Sequence, residues 1–296
     1  MPPIRRRGDG WRSMTDRNKG IFYMVMSSLF FAVMAAAVKL AGDLPAMEKV
    51  FFRNLVGFFV SGLIVWHSGR GFAGSDKRGL FYRSLFGFLG LVSYFYAIDR
   101  LPLANAVILN QVNPFIVLVL AYLFLREKII KMQWVAIMVA MLGVLLIVRP
   151  GTGYLLWPAL AGLLSAFFTA AAYTVIRHLR VSDHPQIIIF YFTGFSTFST
   201  LPFMLARGFV MPDFFQLQVL LVVGVTATIA QFFMTHAYRY GEAGDLSIYS
   251  YGNTIFAMLI GMLLWREFPD ALGFAGVFLV FCGAYLNWRV NREGQR

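Results

Sequence analysis

Charge is what this sequence has least of. Only 14% of its 296 residues are Asp, Glu, Lys or Arg, against about 25% in a soluble domain that must cover a water-facing surface. Its single cysteine, Cys282, lies in the last apolar run, which excludes an intramolecular disulfide and a thiolate metal cluster. There are 14 acidic residues and four histidines. None of the acidic residues sits in the middle of a long apolar run, so a carboxylate proton relay has no carrier at bilayer depth. The paired carboxylates, His cluster or activated nucleophile of a membrane lipid-modifying enzyme are not found either. That reading is kept only as an alternative of another class, and no catalytic residue, metal ligand or cofactor is assigned.

Hydrophobic residues make up 59% of the chain and fall into runs of about 20, the length that crosses a ~30 Å hydrocarbon core as a helix. Ten spans are expected, at 20–41, 46–66, 79–98, 103–124, 132–149, 156–177, 185–206, 216–238, 245–265 and 270–288. Breakers separate them, as at Gly42-Asp43-Leu44-Pro45, Arg149-Pro150-Gly151 and Asp183-His184-Pro185. Gly20–Leu40 is too long for a signal peptide and reads as the first span. The net charge of +12 would suggest nucleic acid if the basic residues formed one face, but they cluster at span ends. Most fall on one side, in the basic tail 1–19 (Arg5, Arg6, Arg7, Arg12, Arg17, Lys19) and the 67–83 connection (Arg70, Lys77, Arg78, Arg83). The positive-inside rule then puts both termini in the cytoplasm, with a bacterial inner membrane as the expected location. Gly69-Arg70-Gly71-Phe72-Ala73-Gly74 spells a dinucleotide fingerprint, but no strand precedes it and no βαβ unit surrounds it.

A shift of 140 residues superposes the halves without a gap from residue 43 to 149. Pro45 meets Pro185, Phe52 meets Phe192, Asn113 meets Asn253, Arg126-Glu127 meets Arg266-Glu267, and Gly143 meets Gly283. Upstream the shift is 137, pairing Ser28-Leu29-Phe30-Phe31 with Ser165-Ala166-Phe167-Phe168. The expected organisation is a tail 1–19, a first five-helix repeat 20–150, a second 151–288 and a tail 289–296. Five is odd, so the two units enter the membrane from opposite sides. Inverted repeats of this kind support alternating access around a site near the midplane.

Leu101-Pro102-Leu103-Ala104-Asn105-Ala106, then Asn113-Pro114, then Leu125-Arg126-Glu127-Lys128, close with Gly143-Val144 and Arg149-Pro150-Gly151. This series resembles the drug/metabolite transporter superfamily, specifically its EamA-type family, from about Gly20 to Trp288. Arg-Glu stands where that family often has Gly-Glu. The resemblance implies an all-α, ten-helix fold of two inverted halves and a carrier for small metabolites such as amino acids, often outward. Uptake or exchange of a nucleotide-like metabolite such as S-adenosylmethionine is the second reading. A monomer or weak homodimer in the lipid bilayer is expected, with no nucleic-acid partner.

Polar groups at membrane depth face a bundle interior or a water path. Asn110 and Asn113 share a helix face, and the repeat pairs them with Ser250 and Asn253. These four are candidate substrate-binding residues, with helix–helix hydrogen bonding as the competing role. Thr228, Gln231 and Thr235 form a stripe on span eight, of which Gln231 is the chosen candidate. Tyr94, Tyr173 and Tyr251 offer apolar walls with a hydroxyl. Lys39, Glu48 and Arg53 are candidate gating or anion-binding groups. Lys39 and Glu48 are expected to form a hairpin ion pair, while Arg53 could present its planar fork to a carboxylate or phosphate. The small residues Ser28, Ala32 and Ala36, matched by Gly162, Ala166 and Ala170, predict that spans one and six pack together.

Overall fold

The computed structural model describes residues 15–69, 71–125, 130–148, 156–179, 182–240 and 243–293, and every element among them is an α-helix. The first half comprises α1 (Asp16–Leu40), α2 (Ala46–His67), α3 (Lys77–Arg100), α4 (Leu103–Asn110), α5 (Asn113–Leu125) and α6 (Lys131–Val148). The second comprises α7 (Leu156–Leu179), α8 (Pro185–Arg207), α9 (Phe214–Tyr240), α10 (Ala243–Ser250), α11 (Gly252–Trp265) and α12 (Ala271–Glu293). Ten spans among the described residues are long and apolar enough to cross a membrane, with α4–α5 and α10–α11 each supplying one. The chain is therefore an all-α integral membrane protein. Large apolar side chains such as Leu205, Met211 and Leu263 are exposed, as a lipid-facing surface allows. Arg126-Glu127, Arg149-Pro150-Gly151, Arg5–Arg12 and the side chain of Thr235 lie outside the described residues.

Spans four and nine, expected as continuous helices, are each broken. The first break falls at Gln111-Val112 and the second at Tyr251, so Gln111 and Tyr251 occupy equivalent places in the 140-residue repeat. At the first break Pro114 explains the interruption: it has no N–H to give the carbonyl of Asn110, and its ring crowds that carbonyl. The second break lacks a proline, and its chain turns through Tyr251 N–H to Ile248 O at 3.3 Å and Thr254 N–H to Tyr251 O at 3.0 Å.

The main helix contacts run between halves rather than within them. α1 packs on α9 and α3 on α7, α2 on α8, and α6 on α12. Exchanging the halves turns this set into itself. The expectation that spans one and six pack together is thus corrected, because each spends its small-residue face elsewhere. On α1, Ser27 donates to Ala230 O of α9 at 2.9 Å. On α7, Gly162 admits Leu109 of α4, whose Cβ would lie 3.2 Å from an added methyl group. Between α6 and α12 the backbones touch: a Cβ on Gly143 would lie 2.5 Å from Gly276 O, and one on Gly283 2.7 Å from Ala136 O. Small residues at this seam allow the dispersion contact that holds helices together where lipid supplies no hydrophobic drive.

At the end of the bundle where α2 finishes and α3 begins, Asp183 fastens a connection. Its carboxylate accepts Ser75 N–H at 2.6 Å, Asp76 N–H at 3.1 Å and the Ser182 hydroxyl at 2.8 Å. Desolvation pushes the Asp183 carboxyl up, but the bonds from Ser75, Asp76 and Ser182 outweigh it and hold the pKa below its ordinary value.

Gly143→Leu should lower the melting temperature in detergent, because backbone carbonyls cannot move aside and overpacking costs about 1–3 kcal/mol or more. The lipid-facing Leu145→Val is the control, and equal melting of Gly143→Leu and parent would show that the seam is open. For Asp183 the depressed pKa makes its contribution complete above the unfolded value of about 3.9 and lost as pH falls through the folded value. The stability advantage of the parent over Asp183→Asn should accordingly be present at pH 7 and disappear in acid; a pH-independent difference would contradict it.

Candidate functional site

Three polar layers run through the bundle. The first closes the end at which α1 finishes, α4 begins and α11 ends. Lys39 Nζ donates to Leu101 O at 3.0 Å and pairs with Glu267. The other Glu267 oxygen accepts Leu103 N–H at 2.8 Å. Arg266, with φ of 54°, is the turn that folds Glu267 back over α11, where its N–H reaches Gly261 O at 3.2 Å. Lys39 also lies 5.4 Å over the Trp265 ring. Nearby, the fully buried Lys49 pairs with Asp99 at 2.6 Å and donates to Gly42 O at 2.8 Å. Glu48 accepts Val210 N–H at 2.8 Å. The expected Lys39–Glu48 ion pair is therefore replaced. Lys39 crosses to the second half for its carboxylate, and Glu48 caps the segment after α8. A depression of about 330 Å³ bordered by Gly42, Asp43, Asp99 and Arg100 opens at this end.

The second layer is the pair of helix breaks. Asn113 Nδ2 donates to Asn110 O at 2.8 Å, the carbonyl that Pro114 leaves unserved. Gln111 crosses to the other break and donates to Ser250 O at 3.1 Å. Ser28 of α1 donates to Tyr249 O at 3.1 Å and Ser250 O at 3.3 Å. Asn110 itself turns to α7, donating to Ser165 Oγ at 2.8 Å and Thr169 Oγ1 at 3.4 Å. Asn253 is buried with its Oδ1 unpartnered, as is the hydroxyl of the fully buried Tyr251, whose ring lies 5.6 Å from that of Phe281. Tyr94 is buried in the central apolar cluster. The two breaks meet, but through Gln111 and Ser28, two residues not singled out for contact from the sequence.

The third layer is a cavity between α2, α8 and α9, lined by Arg53, Gly57, Ser61, Ile189, Phe192, Thr193, Ala227, Thr228, Gln231 and Phe232. Of the residues chosen from sequence, Arg53 and Gln231 meet here. Its free volume is about 20 Å³, room for about one water. Arg53 is 7% exposed, and its one described bond runs from Nη1 to Asn54 Oδ1 at 2.7 Å. Behind Phe192 lies Arg83, 4% exposed. By sequence it counts with the basic residues of the 67–83 connection, although the expected third span 79–98 already includes it; it lies in the second turn of α3. Its guanidinium carbon is 4.0 Å from the centroid of Phe192, and that of Arg53 is 5.6 Å from the same ring. Tyr173 sits near both and turns its hydroxyl toward the Met234 sulfur at 3.9 Å. An arginine inside a spanning helix is costly, up to about 2.5–3.5 kcal/mol at the helix centre by insertion scales, so two buried around one ring call for a compensating role. The sequence signal for Arg83 was its place between Phe81-Tyr82 and Leu85-Phe86, an apolar setting unlike a solvated connection.

The EamA-like transporter family matches the chain twice, over residues 18–149 and 156–289. A Pseudomonas aeruginosa protein named pseudopaline exporter CntI is 37% identical over 264 residues, covering 88% of this chain and 93% of that protein. An uncharacterized transporter of Helicobacter pylori is 29% identical, covering 90% and 93%. The S-adenosylmethionine uptake transporter of Rickettsia prowazekii is 24% identical, covering 88% and 89%. One solved crystal structure superposes with a TM-score of 0.69 at 15% identity over 94% of this chain and 99% of its own, a likeness of fold.

Lys39→Gln and Glu267→Gln should each destabilise the closed end by about 1–3 kcal/mol, and the double variant by less than the two together. Thermal unfolding of the four proteins reads the cycle; strictly additive losses would show that the pair is not coupled.

Proposed function

The chain belongs to the EamA-like transporter family, and from that premise we propose that it is a secondary carrier that exports a small metabolite by alternating access. The observation that carries this reading is the contact pattern. The principal seams lie between halves and exchange with one another, the matched arrangement that a carrier alternating between two inverted repeats calls for. Inversion of the two repeats, 20–150 and 151–288, follows from their odd number of spans. Export is favoured by the full-length similarity to a protein named as an exporter. The positive-inside bias supports cytoplasmic termini, and the similarity to bacterial transporters supports a bacterial inner membrane. The closed end with Lys39 and Glu48 then faces outward.

In this scheme Arg53 and Gln231 meet the cargo, with Tyr173 as a wall beside them. Asn110, Asn113, Ser250 and Asn253 stabilise the two helix breaks about which the spans bend, and Tyr94 and Tyr251 pack the same region. The second reading, uptake or exchange of a nucleotide-like metabolite, draws on the similarity to S-adenosylmethionine uptake transporters.

Reconstituted into liposomes, the protein should show saturable counterflow of one labelled member of a panel containing pseudopaline, amino acids and S-adenosylmethionine. Glu267→Gln should change its rate. Flux that rises linearly with concentration would mark a channel, and absence of counterflow across the panel with folded protein would overturn the carrier reading.

A further inference from the structure

Buried cations in this bundle are paired, with two exceptions. Lys39 has Glu267 and Lys49 has Asp99. Arg53 and Arg83 have no carboxylate partner among the described residues, although both are more than nine-tenths buried. Arg53 Nε, and Nε and Nη1 of Arg83, make no hydrogen bond among the described residues. Buried donors of this kind are rarely left unserved, and a guanidinium does not shed its charge. The two exceptions are also neighbours. Both lie against Phe192, so their guanidinium carbons are no more than about 10 Å apart by the two ring distances.

The surroundings are shaped for them. A Cβ on Gly87 would strike the Arg83 guanidinium and come within 2.8 Å of the Phe192 ring, so only glycine leaves room for this stack. The groups beside the arginines are neutral: the Tyr173 hydroxyl, Ser61, Thr193, Thr228 and Gln231. The site thus combines two fixed positive forks, hydroxyl and amide groups for orientation, and an aromatic floor. We propose that Arg53 and Arg83 form a two-cation receptor for a small metabolite that carries two carboxylate groups. One carboxylate engages each fork, because the guanidinium edge matches a carboxylate bidentately. A monocarboxylate would leave one buried charge unanswered. Two uncompensated cations also repel a cargo with net positive charge, which sets this site against S-adenosylmethionine, a sulfonium. The proposal gains its biological sense from the carrier reading, while its test does not need transport.

The test is the melting temperature of the purified full-length protein against increasing succinate, glutamate, citrate, inorganic phosphate, leucine and S-adenosylmethionine. A ligand that prefers the folded state raises it. At least one of the three multicarboxylates should give a saturable rise, with half-saturation moved at least about 10-fold by Arg53→Gln or Arg83→Gln and partly restored by lysine. Without ligand, the two Gln variants should melt at or above the parent, since each removes an uncompensated buried charge. Lower unliganded melting of both Gln variants would assign the arginines a structural role and overturn the proposal. So would multicarboxylate shifts that survive in both variants, the absence of any multicarboxylate shift, or a response to phosphate alone. Counterflow separates the two readings. Arginine-dependent shifts without counterflow leave the receptor and remove the carrier, whereas leucine counterflow indifferent to both arginines leaves the carrier and removes the receptor.

Discussion

In hydrocarbon every backbone N–H and C=O must find its partner inside the protein, and the interior of this bundle is organised by that demand. Breaking spans four and nine frees carbonyls at membrane depth. Asn113 serves Asn110 O, Gln111 serves Ser250 O, and Ser28 serves both Tyr249 O and Ser250 O. Asn113, Gln111 and Ser28 are thus tied to backbone before they are available to anything else. Each break is a turn rather than an unwound stretch, as the short-range bonds at Val112 and Tyr251 show. A span that bends at a satisfied turn can change its angle without exposing amides to lipid, and this is the mechanical use of interrupting it.

The same accounting applied to charge divides the molecule into a locked end and an unanswered centre. At the locked end each lysine has a carboxylate and at least one carbonyl, and the bonds cross between elements: α1 to α4 and α11, α2 to α3, and α2 to the segment beyond α8. These pairs are partly to fully shielded from solvent, so breaking one costs more than losing a surface ion pair. A carrier needs such a contact to be firm in one state and replaceable in the other.

Sequence reading found the scaffold more readily than the site, for identifiable reasons. Apolar run length marks a span directly, and all ten were visible. Pro114 could have announced the first break, but Tyr251 carries no comparable mark; only the repeat offset links it to Gln111. Proximity along the chain suggested Lys39 with Glu48, yet Lys39 found Glu267, more than two hundred residues away, because the end of α1 packs on the end of α11. Arg83 was missed because a basic residue near a span boundary is by habit assigned to water. Its aromatic neighbours on both sides argued otherwise. Gln231 was chosen from a polar stripe on span eight and Arg53 as a charge deep in span two, and both line one cavity.

Arg83 of α3 stacks on Phe192 behind the cavity between α2, α8 and α9, and these four helices are a set that exchange of the halves maps onto itself. Its frame is symmetric and its chemistry is not. The 140-residue shift takes Phe52 to Phe192 and keeps an aromatic, but it takes Arg53 to Thr193 and Arg83 to Val223. In the other direction Gln231 returns to Leu91 and Thr228 to Phe88. Positive charge therefore comes wholly from the first half, and most of the hydroxyl and amide lining from the second. A duplicated scaffold needs matched seams to pass between two states, and likeness is kept at α6–α12, where Gly143 meets Gly283. Recognition of one particular, unsymmetrical molecule demands the opposite at the axis, where two copies of the same residue would face the cargo. The positions at which the repeat fails are consequently the informative ones, and Arg53 and Arg83 are failures that leave a buried cation without a carboxylate among the described residues.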